Sequence, residues 1–288
     1  MAEPSNPFGQ RLQTAMRRNN SLVCVGLDPN PDTFPKHLGT GPEAIGQFNA
    51  AIVDATSDLV CAYKPNLGYY AAHGEIGIAA LVATRRLIPP GIPVILDAKV
   101  GDMATTSAAY ARGYFDLLDF DAITVHPFMG EDGLSPFLMN AGRGVFVLCK
   151  TSNPGGGEFQ DLMVREAAGE RPFFLAVAAH AADWATRSAA DVGLVVGATY
   201  PDHLAKVRAA CPDLPILVPG VGAQAGGLAA TVRAGLDARG EGLIVSASRS
   251  ILYAGDGADF AARARTATQH LRDEINVLRD TAAMVAVP

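Results

Sequence analysis

A stretch of alternating charge, Asp97-Ala98-Lys99-Val100-Gly101-Asp102, holds the residues whose types and spacing are best suited to chemistry. Asp97 and Lys99 stand two positions apart at the end of an apolar run. As strand residues they would point to the same side and form a buried ion pair. Gly101 permits a sharp turn that can return the carboxylate of Asp102 toward the same ammonium.

Two interpretations of this ion pair are open. A salt bridge could stabilise the fold, but desolvation often cancels the attraction of a buried pair, and apolar side chains would hold a core as well. Asp28 and Lys64 end two other apolar runs and add a second pair of opposite charges. The four charges together indicate a functional site rather than a structural salt bridge.

Eight short apolar runs alternate with longer stretches of helical periodicity. The runs are too continuous for strands with one wet face, which predicts strands covered on both faces. The predicted strands are 22–28, 60–66, 93–99, 122–127, 145–152, 192–199, 215–220 and 243–248. The predicted helices are 42–58, 74–87, 103–118, 131–140, 172–188, 201–210, 225–238 and 258–278, with a leading helix near 6–18 below the strands.

Eight strand-then-helix units without an obvious linker predict an α/β protein whose residues 1–288 form a single (β/α)8 TIM barrel with an extra N-terminal helix. The length of 288 residues also allows two doubly wound halves. No Gly-x-Gly-x-x-Gly follows the first predicted strand, and this absence makes a dinucleotide-binding fold of two halves a weaker alternative.

The composition limits the possible partners and location. The net charge of −6 gives no basic field for nucleic acid or an anionic membrane surface. No apolar run reaches the roughly 18 residues of a membrane span, and no signal peptide is evident. Four widely spaced cysteines are typical of reduced core thiols: Cys24, Cys61, Cys149 and Cys211. These features predict a cytoplasmic protein.

Barrel chemistry collects at the C-terminal ends of the strands. The predicted strands end there in polar groups: Asp28, Lys64, Asp97 with Lys99, Lys150 with Ser152, and Ser248 with Arg249. Gly220-Val221-Gly222 can bring backbone amides close to a phosphate, Gln224 adds an amide, and Arg249 supplies a bidentate cation. A lone Gly-x-Gly is more typical of a turn, but the pairing with Arg249 favours a phosphate site.

Two further features allow either a purely structural or a functional interpretation. Residues 153–161 are rich in glycine and proline and follow the fifth strand, which suits either a mobile loop over the site or a plain surface loop. His126 ends the fourth strand and could act as a general base, although a packed, hydrogen-bonded histidine is the more common case.

The Asp-x-Lys-x-x-Asp motif resembles the signature of the orotidine 5′-monophosphate decarboxylases, and the resemblance extends over most of the chain. The further matching segments are Gly26-Leu27-Asp28-Pro29, Tyr63-Lys64-Pro65-Asn66, Thr151-Ser152-Asn153-Pro154-Gly155, Val218-Pro219-Gly220-Val221-Gly222 with Gln224, and Ser246-Ala247-Ser248-Arg249-Ser250-Ile251. The residues of these segments are most similar to those of a longer bacterial branch of that family. Met103-Ala104-Thr105-Thr106 departs from the Ile-Pro-Asn-Thr of many relatives but keeps Thr106 in its place.

The resemblance implies that orotidylate loses carbon dioxide from C6 and gains a proton, giving uridylate in pyrimidine biosynthesis, without a cofactor or metal. Lys99 would stabilise the carbanion and protonate it, with Asp97 beside the departing carboxylate. The other roles implied are ribose binding by Asp28 and Lys64, pyrimidine recognition by Ser152, and phosphate binding by Gly222, Gln224 and Arg249, with Ser248 as a further substrate-binding residue. The family also implies a homodimer in which Asp102 and Thr106 enter the partner's site.

Three alternatives remain open. A sister group with the same motif acts on sugar phosphates and needs Mg²⁺, but Lys64 stands where that site wants a carboxylate ligand. A Schiff-base aldolase using Lys99 or Lys150 needs a neutral lysine, which flanking carboxylates disfavour. A non-catalytic nucleotide or phosphate binder could keep Arg249, yet it has no need for four alternating charges.

Overall fold

The apolar runs of the sequence become the strands of a parallel barrel. The computed structural model describes residues 7–167, 169–221 and 227–285. The barrel strands are β1 (Val23–Leu27), β2 (Ala62–Pro65), β3 (Ile95–Val100), β4 (Ala122–Val125), β5 (Gly144–Lys150), β8 (Asp191–Val196), β9 (Ile216–Pro219) and β10 (Leu243–Ala247). β6 (Met163–Glu166) and β7 (Gly169–Pro172) form a separate antiparallel hairpin between β5 and the next helix.

The barrel strands follow the order β2-β1-β10-β9-β8-β5-β4-β3, and all described pairings among them are parallel. Two isolated parallel bridges, Tyr63 with Val94 and Asn66 with Asp97, join β2 to β3 and complete the ring. The side chains of β1, β2, β4 and β10 are buried along their whole length. The predicted (β/α)8 TIM barrel and its eight strands are therefore confirmed.

The helices pack around the barrel and cover its outer face. They are α1 (Phe8–Arg18), α2 (Ile45–Thr56), α3 (Leu67–Ala71), α4 (Gly74–Leu87), α5 (Ala104–Ala111), α6 (Gly130–Leu138), α7 (Gly157–Gln160), α8 (Phe173–Ala185), α9 (Pro201–Ala210), α10 (Leu228–Gly235), α11 (Arg249–Leu252) and α12 (Phe260–Val285). No helix within the described ranges is both long and apolar enough to cross a bilayer.

The leading helix α1 closes the N-terminal end of the barrel. Phe8, Leu12, Ala15 and Met16 form a buried stripe at helical spacing. The Phe8 ring meets Phe146 of β5 edge to face, with ring centroids 5.8 Å apart. This placement leaves the C-terminal strand ends, at the opposite side, free to form a site.

Some predicted boundaries were wrong. The predicted irregular stretch 153–161 contains a 3₁₀ turn (Pro154–Gly156) and α7, and the hairpin β6–β7 was not predicted. The predicted helix 103–118 is α5 followed by a π-helical segment (Arg112–Leu117), and the predicted helix 258–278 extends to Val285 as α12. The predicted helices 74–87 and 201–210 agree with α4 and α9 at both ends.

Candidate active site

A cavity of about 720 Å³ opens at the C-terminal ends of β1, β2, β3, β9 and β10. Its lining combines charged groups with small residues: Asp28, Lys64, Asn66, Tyr69, Asp97, Pro219, Gly220, Val221, Ser246, Ala247, Ser248, Arg249 and Ser250. A smaller cavity of about 340 Å³ lies beside α1 at the other end of the barrel, away from these charges. The chemistry predicted from the sequence therefore belongs to the larger cavity.

Asp97 lines this cavity together with Lys64 and is the centre of a charge network that also includes Lys99, whose side chain is not part of the lining. Its Oδ2 accepts from the Lys64 ammonium at 2.9 Å and from Asn66 Nδ2 at 3.3 Å. Its Oδ1 accepts from the Lys99 ammonium and from the Thr124 hydroxyl, the latter at 3.0 Å. Four donors from β2, β3, β4 and the turn after β2 thus fix one carboxylate between two cations.

The surroundings keep Asp97 and Lys64 charged. Burial acts to raise the pKa of Asp97, but the ammonium groups of Lys64 and Lys99 outweigh it and hold that pKa well below its usual range. Burial acts to lower the pKa of Lys64, but the nearby carboxylates of Asp28 and Asp97 raise it above its usual value. The buried pair of Lys64 and Asp97 is therefore ionised at neutral pH before any ligand arrives.

Lys99 reaches Asp97 through an irregular backbone. The pairing of β3 with β4 shifts register between Leu96 and Val100, which marks a bulge. Lys99 lies in this bulge with a φ of +50°, a left-handed conformation that costs a non-glycine residue about 1–2 kcal/mol. Its backbone N–H donates to Thr124 Oγ1 at 3.0 Å, which holds the bulge in place.

The ion pair is more open than the sequence predicts. The two side chains meet on one side, but a bulge rather than plain strand alternation brings them together. Asp97 is buried, whereas 46% of the Lys99 side chain is exposed. The ammonium of Lys99 therefore has room to contact a bound molecule while it stays paired.

Asp28 links β1 to the segment after β10. Its Oδ2 accepts from the Ser248 hydroxyl at 2.7 Å, and its backbone carbonyl accepts from the Tyr253 hydroxyl at 3.1 Å. The same hydroxyl of Tyr253 accepts from the N–H of Asn30 at 2.7 Å. A Cβ on Gly26 would lie 1.9 Å from Ser248 Oγ, so this contact requires glycine. Asp28 Oδ1 is buried without a partner among the described residues, so it is available to a ligand hydroxyl.

The predicted phosphate site is described in part. Gly220 has a φ of +87° and, with Arg249, lines the cavity. The guanidinium of Arg249 is exposed and makes no hydrogen bond or ion pair with any described side chain. Gly222 and Gln224 lie outside the described residues. The described half of this site thus combines a left-handed glycine with a cation at the cavity rim.

Ser152 lies at the wall of the cavity rather than in its lining. Its backbone and Cβ pack against Gly197, where any Cβ would come within 2.6–2.8 Å of them. Its hydroxyl lies 3.7 Å from the Cβ position of Gly220, which does line the cavity. Ser152 and Gly220 are therefore neighbours at the edge of the cavity.

The turn at Gly101 predicted that the Asp102 carboxylate returns to the Lys99 ammonium, but within this chain it does not. Its Oδ1 instead accepts from the N–H of Met103 at 2.7 Å. No ion pair among the described residues joins Asp102 to Lys99. Thr106 is exposed on the first turn of α5. Both side chains are outside the cavity of their own chain.

His126 and Lys150 have partners that do not suit the alternative chemistries. His126 Nε2 lies 3.0 Å from the carbonyl oxygen of Gly101, so this ring nitrogen is hydrogen-bonded, while Nδ1 is buried without a partner among the described residues. The ammonium of Lys150 is buried and paired with Asp161 at 2.6 Å. Neither Lys150 nor His126 lines the cavity. Lys99 also has a carboxylate partner, which disfavours the neutral amine of a Schiff-base enzyme.

Sequence reasoning missed several residues that shape the site. Thr124 bridges Asp97 and the Lys99 backbone, and its one signal is a hydroxyl inside the apolar run of β4. Asn66 stands two positions after Lys64 in the Tyr63-Lys64-Pro65-Asn66 segment, to which the sequence alone assigns no separate role for the amide. Tyr253 lies far along the chain from its partners Asp28 and Asn30, so no local pattern identifies it.

No group of three or more His, Cys, Asp or Glu side chains that could hold a metal ion is found within the described ranges. The four cysteines are buried and unpaired. Burial raises the pKa of the Cys24 thiol to about 12, so this thiol beside the network is neutral. The charged groups available for chemistry in the cavity are thus carboxylates, ammonium groups and one guanidinium.

A preformed network of charges at the C-terminal end of a (β/α)8 barrel, with a cation and a glycine turn at the rim, defines a barrel enzyme site. A model of the orotidine 5′-phosphate decarboxylase / HUMPS family matches residues 21–264. The chain belongs to this family.

Individual relatives agree with the family model. An orotidine 5′-phosphate decarboxylase of Thermomicrobium roseum is 56% identical over 276 residues, covering 96% of this chain and 97% of the relative. One from Azoarcus sp. is 48% identical over 273 residues, covering 94% and 99%. The solved structure of Leishmania donovani OMP decarboxylase is 40% identical, with a TM-score of 0.84, covering 96% of this chain and all of the other.

Proposed function

We propose that this chain is a carboxy-lyase that converts orotidine 5′-monophosphate to uridine 5′-monophosphate, a step of pyrimidine biosynthesis. The observation that carries the proposal is the Lys64–Asp97–Lys99 network, in which Lys64 and Asp97 line the cavity and the half-exposed Lys99 pairs with Asp97. The names of the relatives support the same reaction. A non-catalytic binder would gain nothing from cations and a carboxylate held together in a cavity.

The reaction needs an electrostatic solution. Loss of carbon dioxide from C6 leaves an electron pair in the ring plane, where no π system delocalises it, so the anion must be stabilised by charge already in place. The ammonium of Lys99 supplies that charge and then donates the proton that replaces the carboxylate. Both tasks require an ammonium at this position, and the ion pair with Asp97 holds it there.

Asp97 contributes through its own charge. A substrate carboxylate held about 4 Å from it would be repelled by about 4 kcal/mol at an effective dielectric constant of about 20. The repulsion is relieved as carbon dioxide leaves. Enzymes lower barriers by about 8–23 kcal/mol, so this effect supplies part of the acceleration and Lys99 with remote binding energy supplies the rest.

The remaining groups bind the nucleotide. Asp28 and Lys64 hold the ribose hydroxyls, which gives the unpartnered Oδ1 of Asp28 a hydrogen-bond donor. Arg249, Ser248, Gly222 and Gln224 bind the phosphate in this proposal, and Ser152 contacts the pyrimidine. Binding at the remote phosphate then fixes the reacting carbon against Lys99.

The proposed reaction proceeds without a cofactor or a metal ion. Decarboxylation with protonation is redox-neutral overall, because the electron pair of the broken C–C bond stays on C6 and forms the new C–H bond, so it needs no electron acceptor. Lys64 occupies the position at which the metal-dependent sister group needs a carboxylate, and its ammonium would repel Mg²⁺. This contact disfavours the sugar-phosphate alternative.

We also propose that the chain works as a cytoplasmic homodimer with one barrel domain per subunit. Asp102 and Thr106 lie outside their own cavity and would enter the partner's site. Exposed apolar side chains stand on the neighbouring segments: Met103 follows Asp102 in the chain, and Phe128, which is 84% exposed, precedes Met129. Met129 belongs to the same surface, since Asp102 and Met129 both lie within 3 Å of the Cβ position of Gly133. A second copy would cover this patch.

A spectrophotometric assay of orotidylate with an excess of chelator tests the proposed function. We expect full turnover with chelator, no turnover by Lys99→Ala, and an unchanged circular dichroism spectrum for that variant. Full activity of Lys99→Ala would remove Lys99 as proton donor. Loss of turnover on chelation, restored by Mg²⁺, would favour the sugar-phosphate branch instead.

A further inference from the structure

Lys150 is a buried cation for which the proposed reaction has no use. It ends β5, directly before the β5 loop, which we define as residues 151–161. Only 1% of its side chain is exposed, and its ammonium lies 5.1 Å from the ring centre of Tyr200 and 5.9 Å from that of Phe174. An apolar residue of similar length would fill this space at lower desolvation cost. The position of the charge therefore calls for an explanation.

The ammonium has one carboxylate partner among the described residues, Asp161, at 2.6 Å. Lys150 and Asp161 stand at the two ends of the β5 loop, so their ion pair closes its base. A buried ammonium without a counterion is strongly unfavourable. The pair therefore favours the one loop conformation that brings Asp161 back to β5. Because 45% of the Asp161 side chain is exposed, this contact can also open toward solvent.

Further hydrogen bonds fix the two residues that directly precede Ser152. The Thr151 N–H donates to Gln160 Oε1 at 3.0 Å, and Gln160 Nε2 donates to Thr151 Oγ1 at 2.8 Å. The backbone carbonyl of Lys150 accepts from the N–H of Gly197 at 2.7 Å. Ser152 follows these residues and packs against Gly197 and beside Gly220 at the cavity wall.

We propose that Lys150 and Asp161 form a latch that holds the β5 loop in the conformation placing Ser152 at the cavity wall, which makes both of them positioning residues. Neither lines the cavity, so they act through Ser152 and not on the substrate. The proposal rests on the proposed function only for the assignment of the pyrimidine to Ser152. An open loop lowers the fraction of molecules ready to bind, and apparent affinity falls by that fraction.

Asp161→Asn is the direct test, because it removes the charge and keeps the side-chain size. We expect KM for orotidylate to rise about tenfold or more, the range of a charge-assisted hydrogen bond, while kcat at saturation changes little because bound substrate selects the closed loop. General destabilisation would instead lower the active fraction and kcat without moving KM. Glu158→Gln is the matched control, since Glu158 is an exposed carboxylate of the same loop with no hydrogen bond to any described residue.

A second pair of variants keeps the test valid if Asp161→Asn folds poorly. Lys150→Met preserves volume and removes the buried charge, and we expect the same rise in KM. The double variant Lys150→Met/Asp161→Asn should be no worse than either single variant, because one interaction is removed in each case. Additive losses in the double variant would overturn the latch.

Proteolysis separates the latch from the role of Ser152. Phe159 is exposed in the β5 loop, and chymotrypsin cleavage there, identified by fragment mass, reports opening without substrate. We expect faster cleavage in Asp161→Asn and Lys150→Met than in the parent or Glu158→Gln; equal rates and equal KM would overturn the latch. An unchanged KM in Ser152→Ala, with faster cleavage in Asp161→Asn, would instead leave the latch standing and remove the pyrimidine contact of Ser152.

Discussion

Replacing Asp97 by asparagine tests the charge network most directly, since the shape is kept and one negative charge is lost. Lys64 then remains buried and loses its partner at 2.9 Å. Breaking a buried ion pair costs about 3–5 kcal/mol, and the remaining attraction of Asp28 places the expected loss near the lower limit. Urea unfolding measures this loss.

The effect of Asp97→Asn on activity has a different origin. Removing the repulsion of about 4 kcal/mol at the substrate carboxylate lowers kcat by about three powers of ten, and the loosened Lys99 lowers it further. Single-turnover measurement of product at saturating orotidylate isolates this step from binding.

A second substitution separates stability from catalysis. Adding Lys64→Met to Asp97→Asn removes the unpaired ammonium, so we expect much of the stability to return while the enzyme stays inactive. The reasoning would be refuted if Asp97→Asn kept kcat within about tenfold of the parent, because a charge at this position would then supply no more than about 1.4 kcal/mol.

Three further predictions follow from neighbouring contacts. Arg249→Ala should raise KM for orotidylate about 10- to 100-fold through the lost charge-assisted hydrogen bonds and leave activity on the substrate without phosphate unchanged; equal losses on both substrates would exclude a phosphate contact. Gly26→Ala should destabilise the protein by about 1–3 kcal/mol in urea because its Cβ meets Ser248 Oγ, whereas Gly46→Ala in an open position of α2 should not; equal stabilities would contradict the close contact. The folded-state pKa of Asp97 lies below its ordinary value, so the ionised carboxylate contributes its full stabilisation at any pH above that ordinary value. This stabilisation is lost as the pH falls through the depressed folded-state pKa. Below about pH 4, the unfolding free energy of the parent should therefore fall more steeply with pH than that of Asp97→Asn.

The barrel could be predicted because a strand buried on both faces leaves a clear signal. The residues of β1 and β10 are all buried and, apart from Ser246, apolar, and the lengths of the intervening segments suit one helix each. The hairpin β6–β7 escaped prediction because half of its residues are charged and none is buried: Met163-Val164-Arg165-Glu166 and Gly169-Glu170-Arg171-Pro172. Its stability comes from pairing rather than from an apolar face.

The site was predictable where charge interrupts an apolar run and unpredictable where tertiary contact decides. Asp97 and Lys99 stand out by their spacing, and Asp28 and Lys64 by ending strands. The bulge gives Lys99 a positive φ without a glycine at that position, so the sequence carries no signal for it. Thr124 acts because β4 neighbours β3, a fact of the folded sheet and not of either strand's sequence.

The hydrogen bond from Ser248 to Asp28 has a consequence for how the protein is made, because its partners stand 220 positions apart. A nascent chain on the ribosome exposes β1 long before β10 exists to pair with it. Until the last strand has left the ribosome, β1 lacks its partner β10, and the pocket around the Asp28 carboxylate is incomplete. We therefore expect orotidylate to bind chains in which β1 and β10 have paired but not chains truncated before β10, and to protect the paired chains against unfolding.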